Sequence, residues 1–410
     1  MINVVEYKEK KNFNIGKKLE KKTFSLQFLP EILNDESKIK NIEVDSKRLK
    51  TSYLIDIVHN LLLKYYFKKE NHFNLSSVIL KEKYGHLYNY YINYLQEKGV
   101  IKLIKKHLKG RNARIYKLDE SVLSSKIGRY KNSDFILLKK YKNAVSSIET
   151  SDRENSSIDP DVKKKLVDDL FHIEINYISA ISFLDKSKLD FDIYNRNKYS
   201  VECIDDKHIF YHFDDYGRMH TNFTILKSHI RQNCLIIDGE ETTEIDIPNS
   251  QPLFLCKLIE KERDLKVLLS NEYQLFKHLT LNGLFYQHII DNSETKDKKL
   301  VKNAIYKVLF GKNFKNKHDQ VFQNLFPLIY NFIKEYKKKY QNYKILSHHL
   351  QNLESNLIFN KIVKQLMYIY PEIKIVTVHD SIICGKKYKP IVKEIFQQNL
   401  ENEFKNNLIL

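Results

Sequence analysis

Cysteine is scarce in this 410-residue chain: Cys203, Cys234, Cys256 and Cys384 stand far apart, with no CxxC pair and no Cys/His ligand spacing. A disulfide scaffold and a zinc ribbon are both excluded, and a reducing cytoplasm fits best. Long apolar runs are missing too. The longest uncharged stretch, Gln320 to Ile333, includes Asn, Gln and Pro, and Met1 to Lys18 is charged with no apolar core. Neither a membrane span nor a secretory leader is expected. Acidic residues are outnumbered, 51 against 69 Lys plus Arg, giving a formal charge of +18 and a pI near 9.3. That balance favours polyanionic partners, nucleic acid first, although the crowding of Lys, Asn and Ile is also what AT-rich coding produces. There is no internal repeat. With 42% hydrophobic and 12% aromatic residues, the chain can build cores for two or three domains, so disorder along its whole length is excluded.

Residues 1 to 50 are polar and basic and read as an arm or a small structured lead-in. From Thr51 the pattern becomes helical: Leu54, Ile55, Val58, Leu61, Leu62 and Tyr65 fall on one stripe. Ser76 and Ser77 offer an N-cap for a second helix. Leu87, Tyr90, Tyr91, Tyr94 and Leu95 mark a third helix, closed by Gly99 where a left-handed residue belongs. The period then changes to two. Val100 to Leu118 reads as two short strands around Lys109-Gly110-Arg111-Asn112. Three helices and a basic hairpin form the plan of a winged helix over residues 51 to 120. Residues 121 to 160 read as a connecting segment ending in a polar linker, Ser146 to Pro160. Residues 161 to 205 read as helical, as one long helix or two short ones at Asp161 to Leu184, and residues 206 to 410 as an α+β domain.

The chemistry lies in that last segment. Leu235 to Ile247 reads as a hairpin turning at Asp238-Gly239, so Asp246 stands at a strand end, before Asn249 or Ser250 caps a helix. Ile373 to Val378 is a second apolar strand, and His379-Asp380-Ser381 makes a tight corner after it. Two aspartates at the ends of neighbouring strands suit a pair of magnesium ions, because hard cations take anionic oxygen held rigidly. Between them Lys298, Lys302, Tyr306 and Phe310 recur every four residues beside an apolar stripe of Val301, Ala304, Ile305, Val308 and Leu309. Such a helix packs on one face and offers two cations and two rings on another, a pattern suited to a nucleoside triphosphate.

Taken in order, these elements resemble those of the superfamily of A-family DNA polymerases and phage-type single-subunit RNA polymerases, over roughly Tyr211 to Gly385. Asp214, Gly217 and Arg218 look like the DxxGR element, whose arginine meets the primer-template hybrid. Asp246 with Ser250 and Gln251 looks like motif A. Lys302, Tyr306, Phe310 and Gly311 reproduce the spacing of motif B, with Lys298 where the family usually has arginine and Phe310 where it usually has tyrosine. His379-Asp380-Ser381 looks like motif C in its RNA-polymerase spelling.

The resemblance implies a polymerase palm and fingers, preceded by a thumb-like helical segment at 161 to 205. It implies two-metal chemistry with Asp246 and Asp380 as ligands to two Mg2+ ions, for which Mn2+ can substitute. Lys302 would act on the leaving pyrophosphate; Lys298, Lys302, Tyr306, Phe310 and Gly311 would bind the nucleotide, and Arg218 and His379 the nucleic acid. Ahead of it the wing carries Lys105, Lys106, His107, Lys109, Arg111, Arg114 and Lys117 for phosphates, and the third helix exposes His86, Asn89, Asn93 and Gln96. The expected function is a primase-like or RNA-polymerase-like nucleotidyltransferase that takes nucleoside triphosphates and a DNA template, recruited to duplex DNA, as on a mobile element. A compact primer-extending DNA polymerase and a catalytically inactive DNA-binding initiator or regulator are the alternatives.

Overall fold

The computed structural model describes residues 25–33, 43–44, 47–106, 114–140, 158–313 and 320–404. Helices and antiparallel strands are mixed throughout, so the chain is α+β. Two compact units separate: the described residues of 1–154, 171–211 and 221–241 make one, and those of 155–170, 212–220 and 242–410 the other.

In the first unit the helix Thr51–Lys68 is buried on almost every side, with Leu54, Val58, Leu61 and Leu62 among its core residues. Two polar side chains are buried with them. Asp56 accepts hydrogen bonds from Gln27 Nε2 (2.6 Å) and Tyr84 Oη (2.6 Å) and pairs with Lys83 Nζ at 2.8 Å, so its charge is compensated in a low dielectric. His59 Nδ1 accepts the Phe28 amide at 3.1 Å, and burial holds the imidazole down to about 4, which keeps it neutral. Phe28 belongs to the strand Ser25–Pro30, buried at every residue and paired antiparallel with Ile127–Asn132. Part of the segment read as an arm or a small structured lead-in is therefore core. Residues 1–24 lie outside the described residues.

After the first helix come the strand Phe73–Leu75, the helices Ser77–Tyr84 and Tyr88–Glu97, and the strands Ile101–Lys105 and Arg114–Leu118. The last of these lies between the other two in an antiparallel sheet. Gly99 ends the third helix in the left-handed region (φ 69°), letting the Val100 amide reach back to Leu95 O at 2.8 Å. The Lys109-Gly110-Arg111-Asn112 turn lies outside the described residues, as does the polar linker up to residue 157.

The helix Phe191–Asp205 belongs to the same unit: Asn195 Nδ2 donates to Tyr66 Oη at 2.9 Å, Tyr199 packs on Phe28, and Arg129 pairs with Glu202 at 2.6 Å. Pro160–Leu170 belongs to the other unit. Of the two expectations for Asp161 to Leu184, one long helix or two short ones, the structure has the second, Pro160–Leu170 and Tyr177–Lys186, with an unexpected strand between them, Ile173–Ile175, which pairs with Leu235–Ile237. Ile173 and Ile175 are buried on either side of exposed Glu174, a period of two inside a segment whose overall apolarity suggests helix.

In the second unit the strand Glu240–Asp246 pairs through Thr242 to Asp246 with Ser381–Gly385, which pairs in turn with Ile375–Val378. Both of these partner strands are buried at every residue. Around them stand Pro160–Leu170, Ser250–Glu262, Lys298–Phe310, Pro327–Lys339 and Ile345–Ser355. Asp169 anchors the first to the sheet by accepting the Ile375 amide at 3.1 Å. No helix among the described residues is long and apolar enough to cross a membrane.

Candidate active site

Antiparallel pairing sets Asp246 opposite Ser381, and the Ile247 amide donates to Asp380 O at 3.2 Å. The two aspartates thus occupy the same end of neighbouring strands. A two-residue turn makes this possible: Val378 pairs with Ser381, and His379 between them adopts φ 55°, a region sparsely populated by residues with a side chain. Asp246 is exposed and Asp380 half-buried. Burial, with the charges of Glu354 and Asp246, pushes the Asp380 carboxyl up to about 7 against the pull of a hydrogen bond with Ser250. A divalent cation would fit here, since its charge would relieve the repulsion on the Asp380 carboxylate.

Glu354 was not legible in the sequence. It lies on the helix Ile345–Ser355 and is only 1% exposed. Its Oε1 accepts Arg218 Nη2 at 2.5 Å, and its Oε2 accepts Ser250 Oγ at 2.7 Å and Gln251 Nε2. Ser250 therefore points at Glu354 instead of capping its helix, and Asn249, in the N-cap position at φ 52°, makes no side-chain cap bond either. A π-helical stretch, Asn356–Val363, begins two residues after Glu354, a feature frequent at functional sites.

Arg218 is delivered by a tight turn. Asp214 Oδ1 accepts the amides of Tyr216 (3.0 Å) and Arg218 (2.9 Å), and Gly217 takes φ 80°. His220 Nε2 lies 2.8 Å from Asp214 Oδ2, with its ring 6.2 Å from that of His379, and Tyr216 stacks on His348 at 3.8 Å. Burial pushes the Asp214 carboxyl up, but the bonds from His220 and the amides outweigh it and hold the group below its usual range.

Asp297 caps the helix Lys298–Phe310 through the amides of Lys299 (2.7 Å) and Leu300 (3.2 Å). Lys298 and Lys302 are exposed, Lys302 Nζ stands 5.5 Å from the Tyr306 ring, and the rings of Tyr306 and Phe310 are 5.5 Å apart. Both rings border an open cavity of about 500 Å³ shared with Asn303, Ala304 and Lys307. Gly311 closes the helix where a Cβ would meet Lys307 O at 2.5 Å, so a side chain there would collide with backbone. Tyr286, on the helix Phe285–Asp291 that packs against this one, is buried and feels the charge of Asp380, and burial holds its phenol well above the usual range.

No protein-family model matches the chain, and no curated protein matches it. Among the described residues no three or more His, Cys, Asp or Glu side chains are grouped to hold a metal ion by themselves. Asp246 and Asp380 are a pair, and magnesium usually takes one or two protein carboxylates with the remaining positions filled by water and phosphate oxygen.

In the first unit, Lys105, Lys106 and Arg114 are exposed, while His107, Lys109 and Arg111 lie outside the described residues. On the third helix Asn89 and Asn93 are exposed and Gln96 half-buried, opposite buried Tyr91, Ile92, Tyr94 and Leu95; His86, expected on that helix, is exposed in the turn before it. A cavity of about 330 Å³ between these elements is lined by Ser76, Ser77, Tyr88, Asn89 and Arg114.

Proposed function

We propose that the chain is a template-directed nucleotidyltransferase of the A-family and phage-type polymerase kind, primase-like or RNA-polymerase-like, with a palm and fingers in its second unit. The observation that carries this reading is the juxtaposition of Asp246 and Asp380 on neighbouring strands, with Arg218, Ser250 and Gln251 drawn together on Glu354 beside them. Segments far apart in sequence converge where a phosphoryl-transfer site would need them.

Asp246 and Asp380 would hold two magnesium ions, which when bound would favour the 3′-hydroxyl as nucleophile and neutralise charge on the leaving pyrophosphate. Lys302 would offer its exposed ammonium to that pyrophosphate, and Lys298 would add charge at the entry to the same face. Tyr306 and Phe310 offer rings to base and sugar. Arg218 and His379 would meet the end of the nucleic-acid strand.

The first unit supports recruitment to duplex DNA, such as an origin on a mobile element. A winged-helix reading is supported by its order of helix, strand, two helices and two strands, with the first strand paired to the last. Lys105, Lys106 and Arg114 would meet phosphates while Asn89 and Asn93 face base edges.

Primer extension on single-stranded DNA, with and without primer and with rNTPs or dNTPs, tests the reading. Incorporation that needs magnesium and Asp246 is expected; none under any combination would remove the proposal.

A further inference from the structure

We infer that Glu354 is a positioning residue for the nucleic-acid strand, setting the place of Arg218 and Gln251 beside Asp380; this rests on the nucleotidyl-transfer reading above. Both carboxylate oxygens are already engaged by protein donors, Oε1 by Arg218 and Oε2 by Ser250 and Gln251. A carboxylate so committed is a scaffold. Its partners lie 136, 104 and 103 residues away in sequence, so it ties the Asp214–Arg218 turn, the helix after Asp246 and the helix Ile345–Ser355 at one point.

Among the described residues Glu354 is the sole hydrogen-bond partner of the Arg218 guanidinium and of the Gln251 amide, for Arg218 Nε and Gln251 Oε1 have none. The amide orientation follows from chemistry, since the reverse would set Gln251 Oε1 against the carboxylate. Without Glu354 nothing would fix a long side chain with many rotamers, and the Arg218 side chain, 18% exposed, is the part left facing solvent. Because an ion pair also dilutes the charge of Arg218, electrostatics and placement make opposite predictions. Removing the negative charge should tighten binding of a polyanion if charge alone matters, and loosen it if placement matters.

The test uses the full chain and a short primed DNA template, with Kd measured by anisotropy in EDTA and with KM and kcat measured in magnesium. Glu354→Gln is expected to raise Kd and KM at least ten-fold while kcat stays within three-fold. Arg218→Lys, which loses the planar fork, should do the same, and the double variant should be no worse than either alone. Equal or tighter binding by Glu354→Gln, or effects that multiply in the double variant, would overturn the inference. Loss of the enzymatic reading looks different: wild type would incorporate nothing, yet the Kd shift would persist and Glu354 would still position a bound strand. Normal incorporation with unchanged Kd would sink Glu354 alone. Should Glu354→Gln melt far below wild type, Gln251→Leu takes its place, with a three-fold or greater rise in Kd expected and an unchanged Kd decisive against.

Discussion

Lys337 and Gly311 meet through a hydrogen bond of 2.8 Å from the lysine Nζ to the glycine carbonyl, and the same ammonium donates to Val308 O at 2.6 Å. Lys337 is 3% exposed, so a buried cation closes the C-terminal end of the helix Lys298–Phe310, where the helix dipole is negative. Lys337→Met keeps the stem but leaves two carbonyls short of a donor, and should cost about 1–3 kcal/mol in chemical denaturation. A variant as stable as wild type would mean that water replaces the ammonium.

Asp246→Asn and Asp380→Asn each remove an anionic oxygen with little change in volume. Both should abolish magnesium-dependent incorporation while leaving the circular dichroism spectrum and duplex binding unchanged. Activity retained in either would dismiss the two-metal assignment.

Asp380 also gives a signed pH effect in the absence of metal. Its carboxyl is pushed up to about 7 in the folded protein from an ordinary 3.8, so the folded state keeps a proton that the unfolded chain releases. The cost to stability is absent below pH 4, grows as pH rises toward 7 and is complete above it. Asp380→Asn should therefore match wild type near pH 4 in EDTA and exceed it at pH 8 by about 1–3 kcal/mol, allowing for partial exposure. Magnesium should then close the gap by stabilising wild type alone.

Features with a local signature were legible in the sequence. The Asp238-Gly239 turn takes positive φ at both residues, the stripe Val301, Ile305, Val308 and Leu309 is buried, and the strand ends bring Asp246 to Asp380. Glu354 and Tyr286 were not, because what distinguishes them is contact across more than a hundred residues or across helices, which no short period records. Asp56 and His59 were hidden for the same reason: a helical stripe marks its apolar members, while burial of a carboxylate depends on Gln27, Lys83 and Tyr84 arriving from elsewhere.

Recruitment to duplex DNA should be tested by substitution and not by deleting residues 1 to 145, which would uncover Tyr199 and Asn195 and strip Arg129 from Glu202. Replacing Lys105, Lys106 and Arg114 together by Ala should lower the slope of log K against log salt by about 2–3, at roughly 0.9 for each phosphate no longer neutralised. Incorporation on a short primed template should persist. An unchanged salt slope would show that the proposed wing does not touch the duplex.

Sugar choice tests the motif B assignment at a single position. Phe310 is half-buried, its ring 5.5 Å from Tyr306, at the edge of the cavity where a nucleotide sugar would lie. The polymerases it resembles usually carry tyrosine there, and phenylalanine keeps the ring but removes the hydroxyl that could sense the 2′ position. Wild type should therefore discriminate weakly between ATP and dATP, even though the His379-Asp380-Ser381 spelling leans toward RNA synthesis. Phe310→Tyr should introduce a preference of roughly ten-fold or more in kcat/KM, about 1.4 kcal/mol, the scale of one hydrogen bond made or left unpaired. The neighbouring Tyr306 hydroxyl can supply an acceptor, so an added hydroxyl would join a polar group instead of being buried alone. Strong discrimination by wild type, or a ratio unmoved by the added hydroxyl, would place sugar selection elsewhere and break the motif B register at Phe310.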